Sequence, residues 1–372
     1  MLDKLNKIFE IIEERHINFY FNHSKEEFEE FKKEALSKFK LEDDYDVLYV
    51  SNYIIKKMLN ENDSHTIVRY YDDIKDHLGV VFRIINNKVY IYRCSDEIKE
   101  CLYDEVLELN GVDINTIVSE MGDRFCYQSD GFREARIESF LNNVCNIKGL
   151  PSIDNNATEY KIKVNHNNEI KEVVIPFKFI PIINYKYYVD DDKMQIIYSL
   201  CMELKKNEMI EFVDKIKQVE GINYYIVDLR GNTGGSKKII NPLVEFLKDK
   251  KVVVLIDKFV FSAGRWACLD LKKIGATFIG TDIGTPINCF GNNPGVNFDK
   301  FYVQASEYYF CANEHFENPS TKDELEEIRN NEIMKPRYIH PDIYVEESIE
   351  ALREGRDVYL EKAYEYIDSL EK

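Results

Sequence analysis

Two short segments of the chain carry residue types and a spacing suited to acyl transfer. The first is the turn Phe261-Ser262-Ala263-Gly264, which follows the predicted strand KVVVLID at 251–257 and precedes a predicted helix. A serine at a strand-to-helix turn can present its hydroxyl to a substrate while neighbouring backbone amides face the oxyanion that develops on attack. Ser262 is therefore a candidate nucleophile, and the alternative is that it only caps the helix.

The second segment is the glycine-rich loop that ends the stretch YIVDLRGNTGG at 225–235. Its spacing fits neither a phosphate loop, since Ser236 stands where the second glycine belongs, nor the dinucleotide fingerprint. Glycines let backbone N–H groups approach a ligand, and a helix predicted to begin near Ser236 would favour negative charge. Since parallel strands end at one edge of a sheet, the amides of Gly235 and Ala263 are predicted to form an oxyanion hole. The alternative is an ordinary β–α turn.

A serine nucleophile needs a base, and histidine is the usual one. The chain has seven histidines, at positions 16, 23, 65, 77, 166, 315 and 340. His65 lies in Asp63-Ser64-His65-Thr66, at a predicted junction between a helix and a strand, and is the candidate base. The alternative for any one of these histidines is a solvated or hydrogen-bonded side chain without a catalytic role.

Hydrophobic periodicity predicts three regions that would position these residues. The first 60 residues are predicted helical, with Ser24 and Glu27 forming a capping box. Residues 79–179 are predicted β-rich, with hairpins at Asn86-Asn87 and Asn110-Gly111 and one helix over 132–144. In the C-terminal half, predicted strands at 195–200, 224–228, 252–256 and 277–280 alternate with helices. This alternation predicts a mainly parallel sheet covered on both faces, and thus an α/β fold.

Composition excludes several classes of protein. The chain has 372 residues and a net charge of −18, which makes nucleic acid and anionic membrane unlikely partners. The longest aliphatic run is Val252–Ile256, far short of the roughly 20 residues that span a bilayer. The N-terminal sequence lacks the features of a secretory signal, and the eight cysteines include no C-x-x-C pair. We therefore expect a cytoplasmic protein with free thiols.

Several motifs occur together in an order that resembles one peptidase family. They are Asp63-Ser64-His65-Thr66, EVLELNGVDI at 105–114, DLRGNTGG at 228–235, FSAGR at 261–265, IGT at 279–281 and HPDIYV at 340–345. The order and approximate spacing are similar to those of the C-terminal processing (tail-specific) peptidases and tricorn core peptidases. The resemblance is to the tricorn-like branch, which uses serine and histidine. The branch with a Ser-Lys dyad carries a lysine downstream of the nucleophile, where this chain reads Thr285-Pro286-Ile287-Asn288.

The resemblance implies a role for each matching residue. Ser262 would be the nucleophile, His65 the general base and Ser64 a hydroxyl that assists the histidine, with oxyanion amides from Gly235 and Ala263. It also implies a crotonase-like β/α core over 181–372, a helical segment over 1–75 that carries the Ser-His motif, and a β-rich, PDZ-like insert over 76–180. The implied chemistry requires no metal or organic cofactor.

This chain departs from the family pattern at three places. Leu102-Tyr103-Asp104 stands where the family usually has a glycine before the acid, and Arg265 stands where many members carry a glutamate. Where tricorn-like members place the glutamate that completes the catalytic group, this chain has Lys335. Glu332 and Glu307 are the candidates for a third acid.

The leading hypothesis from the sequence is a serine peptidase that acts on peptides or unfolded chains, with no nucleic acid or membrane partner. One alternative is a catalytically degraded peptide-binding protein with the same fold, which Lys335 favours. Another is an acyl-CoA enzyme of crotonase type, which would not explain Ser64-His65. The sequence leaves the oligomeric state open, and a homo-oligomer is one of the possible states.

Overall fold

The computed structural model describes residues 1–60, 63–71, 76–181, 185–198, 206–312 and 317–371. Of the predicted features, His315, Cys201 and the end of the strand predicted at 195–200 lie outside these ranges. None of the described helices is both long and apolar enough to cross a membrane.

The first half of the chain contains a group of helices followed by a β-rich region. In chain order its elements are α1 (Leu2–Arg15), α2 (Lys25–Lys38), α3 (Asp44–Leu59), β1 (Ile67–Tyr70), β2 (Val80–Ile85), β3 (Lys88–Cys94), β4 (Glu105–Leu109), β5 (Val112–Asp113), α4 (Ile114–Gly122), α5 (Asp130–Phe140), α6 (Val144–Lys148), β6 (Tyr160–His166) and β7 (Glu169–Ile175). A short 3-10 helix covers Asp96–Cys101.

The second half alternates strands and helices before it ends in a long helix. Its elements are β8 (Tyr185–Asp190), β9 (Lys193–Tyr198), α7 (Lys206–Ile216), β10 (Tyr224–Asp228), α8 (Asn241–Leu247), β11 (Lys251–Ile256), α9 (Ala263–Lys273), β12 (Thr277–Gly280), β13 (Cys289–Gly291), β14 (Gly295–Phe298), β15 (Phe301–Gln304), β16 (Tyr308–Phe310), α10 (Lys322–Ile328), β17 (Ile343–Tyr344), α11 (Ile349–Arg353) and α12 (Val358–Leu370). A 3-10 turn covers Glu332–Met334.

The chain divides into two compact units. The first contains Met1–Ile180 and Asn288–Pro336, and the second contains Pro181–Ile287 and Arg337–Lys372. Residues 288–336, predicted as part of the core over 181–372, thus belong to the same unit as the N-terminal helices. Together the described elements form a mixed α/β fold with several sheets.

In the first unit, local sequence signals account for several elements. The capping box of Ser24 and Glu27 is present at the start of α2. Asn86 and Asn87 both have positive φ, at 51° and 62°, and they join β2 and β3 as the predicted hairpin. Two helices, α5 and α6, occupy the region where one helix was predicted over 132–144, because Asn143 caps the start of α6. One core joins these elements, with Phe9, Leu48, Phe82, Ile162 and Phe301 among its residues.

In the second unit, the predicted parallel sheet is confirmed. Its strand order is β17-β12-β11-β10-β9-β8, and every neighbouring pair is parallel except β8 and β9 at one edge. Alternate side chains of each strand point to opposite faces. Tyr225 and Val227 pack in a core with residues of α7, α8 and α9, whereas Tyr224 and Ile226 pack with residues of α12. The sheet is therefore covered on both faces.

One predicted boundary in this unit is wrong. The helix expected to begin near Ser236 begins at Asn241, where Pro242 occupies the first turn. Proline favours the first helical position, because its fixed φ suits a helix and its missing N–H needs no partner there. The glycine loop is therefore not at a helix N-terminus, and its chemistry rests on its own backbone amides.

Candidate functional site

The segment Asp63-Ser64-His65-Thr66 joins α3 to β1 in the first unit, and all four of its residues are buried. Asp63 organises this turn. Its Oδ1 accepts hydrogen bonds from the amides of His65 at 2.7 Å and Thr66 at 3.2 Å. Its Oδ2 accepts the Thr66 hydroxyl at 2.6 Å. The backbone of the predicted base is thus held by a carboxylate on its own segment.

Two more distant residues also bond to Asp63. Ser306 donates its hydroxyl to Oδ1 at 3.0 Å, and His16 Nε2 lies 3.0 Å from Oδ2. The backbone N–H of Asn18 donates to His16 Nδ1 at 3.1 Å, so Nδ1 carries no proton. The ring proton of His16 is therefore on Nε2 and points at Asp63. His16, at the end of α1, is therefore part of the support for the His65 turn.

The charge on Asp63 is stabilised despite its burial. Burial by itself raises the pKa of Asp63, but the hydrogen bonds that its carboxylate accepts from His16 and from the Thr66 hydroxyl outweigh this effect. The pKa of Asp63 is therefore held well below its usual range, and Asp63 is a buried anion at neutral pH.

Further contacts of Ser64 and His65 come from three distant parts of the chain. Ser64 Oγ donates to Gln128 Oε1 at 2.9 Å, and the Arg136 guanidinium on α5 donates to the Ser64 carbonyl oxygen. Asn293 Nδ2 donates to the His65 carbonyl oxygen at 2.9 Å. Arg136 and Asn293 thus hold the backbone of the segment, and Gln128 holds the Ser64 side chain.

The two candidate third acids have cationic partners of their own. Glu332 pairs with Lys335 at 2.7 Å, and their side chains are 82% and 70% exposed. Glu307 accepts from the Arg15 guanidinium at 2.8 Å and from Asn292 Nδ2 at 3.2 Å. The cation at position 335 is thus compensated by Glu332 in solvent.

In the second unit, Ser262 has an unusual backbone conformation. It lies between β11 and α9 with φ 51° and ψ −116°, a region that residues other than glycine seldom adopt. Its side chain makes no capping hydrogen bond to α9 in the described structure. The helix-cap interpretation of Ser262 is therefore not met, and the strained turn holds a partly exposed hydroxyl before the helix.

The glycine loop lies directly against this serine turn. At Gly234, φ is +100°, and a Cβ there would lie 2.7 Å from Ser262 Cβ and 2.8 Å from the Ala263 nitrogen. Only glycine fits such a position, both in backbone conformation and in space. The loop and the nucleophile turn, separate in sequence, are in van der Waals contact at the same edge of the sheet.

Asn232 and Asp257 hold the two turns together. The Asn232 carbonyl oxygen accepts the Phe261 amide at 2.9 Å, and its Oδ1 accepts the Gly234 amide at 3.0 Å. Asn232 Nδ2 donates to the carbonyl oxygen of Tyr198 at 2.8 Å. Asp257 Oδ1 accepts the amides of Gly231 and Phe259, each at 3.0 Å. The loop geometry thus depends on side chains that are buried beneath it.

The two predicted oxyanion amides differ from their neighbours in hydrogen bonding. In the part of the chain that the structure describes, neither Gly235 nor Ala263 donates its amide to another protein group, whereas Gly234 donates to Asn232. Gly235 is exposed and has φ 137°. Both amides are therefore available to a ligand.

The two other departures from the family pattern have clear structural consequences. Tyr103 has φ 67°, a left-handed conformation that glycine adopts without strain, and the following Asp104 bonds to His166 at 2.7 Å. Arg265 is buried on α9, where its guanidinium donates to the Pro286 carbonyl oxygen and lies 4.7 Å from the centre of the Trp266 ring. A cation thus occupies the position where many family members carry an acid.

Several residues that shape these turns had no predicted role. Asp63, Asn232 and Asp257 lie within or beside the quoted motifs. Short polar side chains in turns commonly bond to the nearby backbone, so the sequence did contain a signal for their supporting role. His16 and Gln128 are distant in sequence from the Ser64-His65 segment, and only the fold brings them to it.

No family model and no curated protein match this sequence. Solved structures do match. Mature CPAF in complex with lactacystin has a TM-score of 0.63 at 11% identity, over 99% of this chain and 98% of that chain. The chain has the fold of CPAF. A serine-to-alanine mutant of CPAF also matches with a TM-score of 0.63 at 11% identity, over 95% and 94% of the two chains.

A third match is the photosystem II D1 C-terminal processing protease, with a TM-score of 0.48 at 9% identity over 92% of each chain. At these identities the likeness to CPAF concerns the fold. The tail-specific peptidase family, whose motifs the sequence resembles, fits the fold shared with CPAF.

Proposed function

We propose that the protein is a serine peptidase that hydrolyses peptide bonds in peptides or unfolded chains. The observation that carries this proposal is the Ser262 turn. Ser262 is strained, makes no capping bond in the described structure, and lies against a glycine that no larger residue can replace without strain. A purely structural role accounts for none of these features. The fold shared with CPAF and the motif order of the tail-specific peptidases support the same activity.

In the proposed mechanism, Ser262 attacks the carbonyl carbon while His65 takes the hydroxyl proton. The oxyanion of the tetrahedral intermediate accepts hydrogen bonds from the amides of Gly235 and Ala263. His65 then gives its proton to the leaving amine, and an acyl-enzyme forms on Ser262. Water hydrolyses this ester with His65 again as base.

The finer features expected from the family belong to this proposal. They are a crotonase-like core, a PDZ-like insert over 76–180 and a cytoplasmic location. The antiparallel sheet β2-β3-β4-β6-β7 is the element that would correspond to the insert. No metal or organic cofactor takes part in the steps above.

A fluorophosphonate probe, which reacts with activated serines, tests the proposal. We expect the wild type to be labelled at Ser262, with labelling and peptide hydrolysis lost in Ser262→Ala and strongly reduced in His65→Gln. Ser348 is a matched control, because its hydroxyl does cap a helix, accepting the Ala351 amide at 3.3 Å. Ser348→Ala should cost about 1 kcal/mol of unfolding free energy and leave labelling unchanged.

The competing function is the degraded peptide-binding protein. It predicts a well-folded wild type that binds unfolded chains but is neither labelled at Ser262 nor able to hydrolyse them. That result would overturn the peptidase proposal.

A further inference from the structure

The resemblance implies a glutamate beside the Ser-His pair, and at that position this chain has Lys335, paired in solvent with Glu332. We propose that Gln128 and Asp63 divide the role of that glutamate between them, as positioning residues for Ser64 and His65. Gln128 orients the Ser64 hydroxyl, and Asp63 supplies the buried negative charge. This inference rests on the proposed function, in which His65 is the base.

The first half of the role belongs to Gln128. Its Oε1 lies 2.9 Å from Ser64 Oγ, and both side chains are buried. An amide oxygen can only accept, so the Ser64 proton points at Gln128 and the lone pairs of Ser64 Oγ are left to accept from another donor. A glutamate would set the same orientation and also bring a charge. Gln128 sets the orientation without the charge.

The second half belongs to Asp63. Its carboxylate is fully buried and accepts the backbone amide of His65, so the charge has a fixed position relative to the His65 backbone that carries the imidazole. The other titratable groups that act on Asp63 are His16 from α1, the Cys126 thiol and Arg136 from α5. A buried anion near His65 stabilises the imidazolium that forms when the serine proton is taken.

The histidine ring can be measured without any activity. We would follow the NMR signals of isotopically labelled histidine against pH, using His65→Gln to assign the His65 resonances. Removing the negative charge in Asp63→Asn should lower the pKa of His65 by about 1. In the same variant kcat/KM should fall about tenfold, mainly through kcat, since 1 pKa unit corresponds to a factor of about 10.

Asp104→Asn is the matched control, because Asp104 is also a buried carboxylate bonded to a histidine, 2.7 Å from His166. Asp104→Asn should lower the free energy of unfolding, as Asp63→Asn does, but leave the pKa of His65 and kcat unchanged. If Asp63→Asn loses stability yet leaves both quantities as in the wild type, Asp63 only holds the turn and the proposal fails.

Gln128→Glu keeps the test decisive if Asp63→Asn does not fold. It restores a charged acceptor for Ser64 and should raise the pKa of His65 by about 1. Gln218→Glu makes the same change in net charge at an exposed position and should have no effect. An unchanged pKa of His65 in Gln128→Glu would show that a group at position 128 does not act on the Ser64-His65 pair, and the positioning role proposed for Gln128 would fail. Failure of the proposed function looks different: the wild type would not label at Ser262, while the pKa changes of His65 would persist.

Discussion

The two candidate catalytic turns are held in shape by different means. The His65 turn is fixed by a charge, the buried Asp63 carboxylate that accepts from its backbone amides and from side chains on other elements. The Ser262 turn is fixed by backbone shape, with Gly234 in van der Waals contact and the neutral Asn232 beneath it. The proposed base is thus supported by a nearby anion, whereas the proposed nucleophile lies beside unobstructed backbone amides.

The largest effect is expected where backbone shape is most constrained. Gly234→Ala places a Cβ 2.7 Å from that of Ser262, so the turn must move and the oxyanion amides with it. We expect probe labelling and kcat to fall about 10²- to 10³-fold. Gly221→Ala imposes the same kind of positive φ in open space and should leave labelling intact. Equal labelling in the two variants would show that contact with Gly234 is unimportant to the serine turn.

A smaller effect is expected when the support beneath the loop is removed. Asn232→Ala deletes the acceptor of the Gly234 amide and the donor to Tyr198, leaving buried polar groups without partners. The free energy of unfolding should fall by about 1–3 kcal/mol, measured by denaturant titration. Asn223→Ala, which removes an exposed bond to Asp192, is the control and should cost less. A loss no greater than the control's would mean that the loop keeps its shape without Asn232.

The charge that supports the His65 turn predicts a pH dependence of stability. The pKa of Asp63 is lower in the folded than in the unfolded chain, so its stabilising contribution is fully present above the unfolded value of about 3.9. That contribution is lost as the pH falls toward the folded pKa. The gap in unfolding free energy between the wild type and Asp63→Asn should therefore narrow below about pH 4. A constant gap would show that folding does not lower the pKa of Asp63.

The smallest effects are expected at the exposed pair that replaces the family glutamate. Lys335→Glu and Glu332→Gln should each change the unfolding free energy by less than about 1 kcal/mol, because water screens the pair. Hydrolysis should be unchanged in both. A large loss of hydrolysis in Glu332→Gln would instead identify Glu332 as the third acid. The proposed base would then depend on Glu332 and not on the Asp63 carboxylate.

Local sequence signals predicted the elements well where one or two residues decide the backbone. Asn86 and Asn87 adopt the positive φ of the predicted hairpin, and the continuous apolar strands of the second unit form the predicted parallel sheet. The prediction failed at the start of α8, because Pro242 sets the first helical turn beyond the glycine loop. It also missed that residues 288–336 belong to the first unit, since strand pairing between β1 and β15 is a long-range contact.

The sequence by itself determined which residues are suited to acyl transfer and that Ser262 and the glycine loop would share one edge of a sheet, because side-chain chemistry and strand periodicity are local properties. Only the tertiary structure decided what supports them. It placed His16 and Gln128 against the Ser64-His65 segment and sent Glu332 and Lys335 into solvent. The physical reason is that burial and hydrogen-bond partners depend on distant elements packing together, which no local pattern of residues encodes.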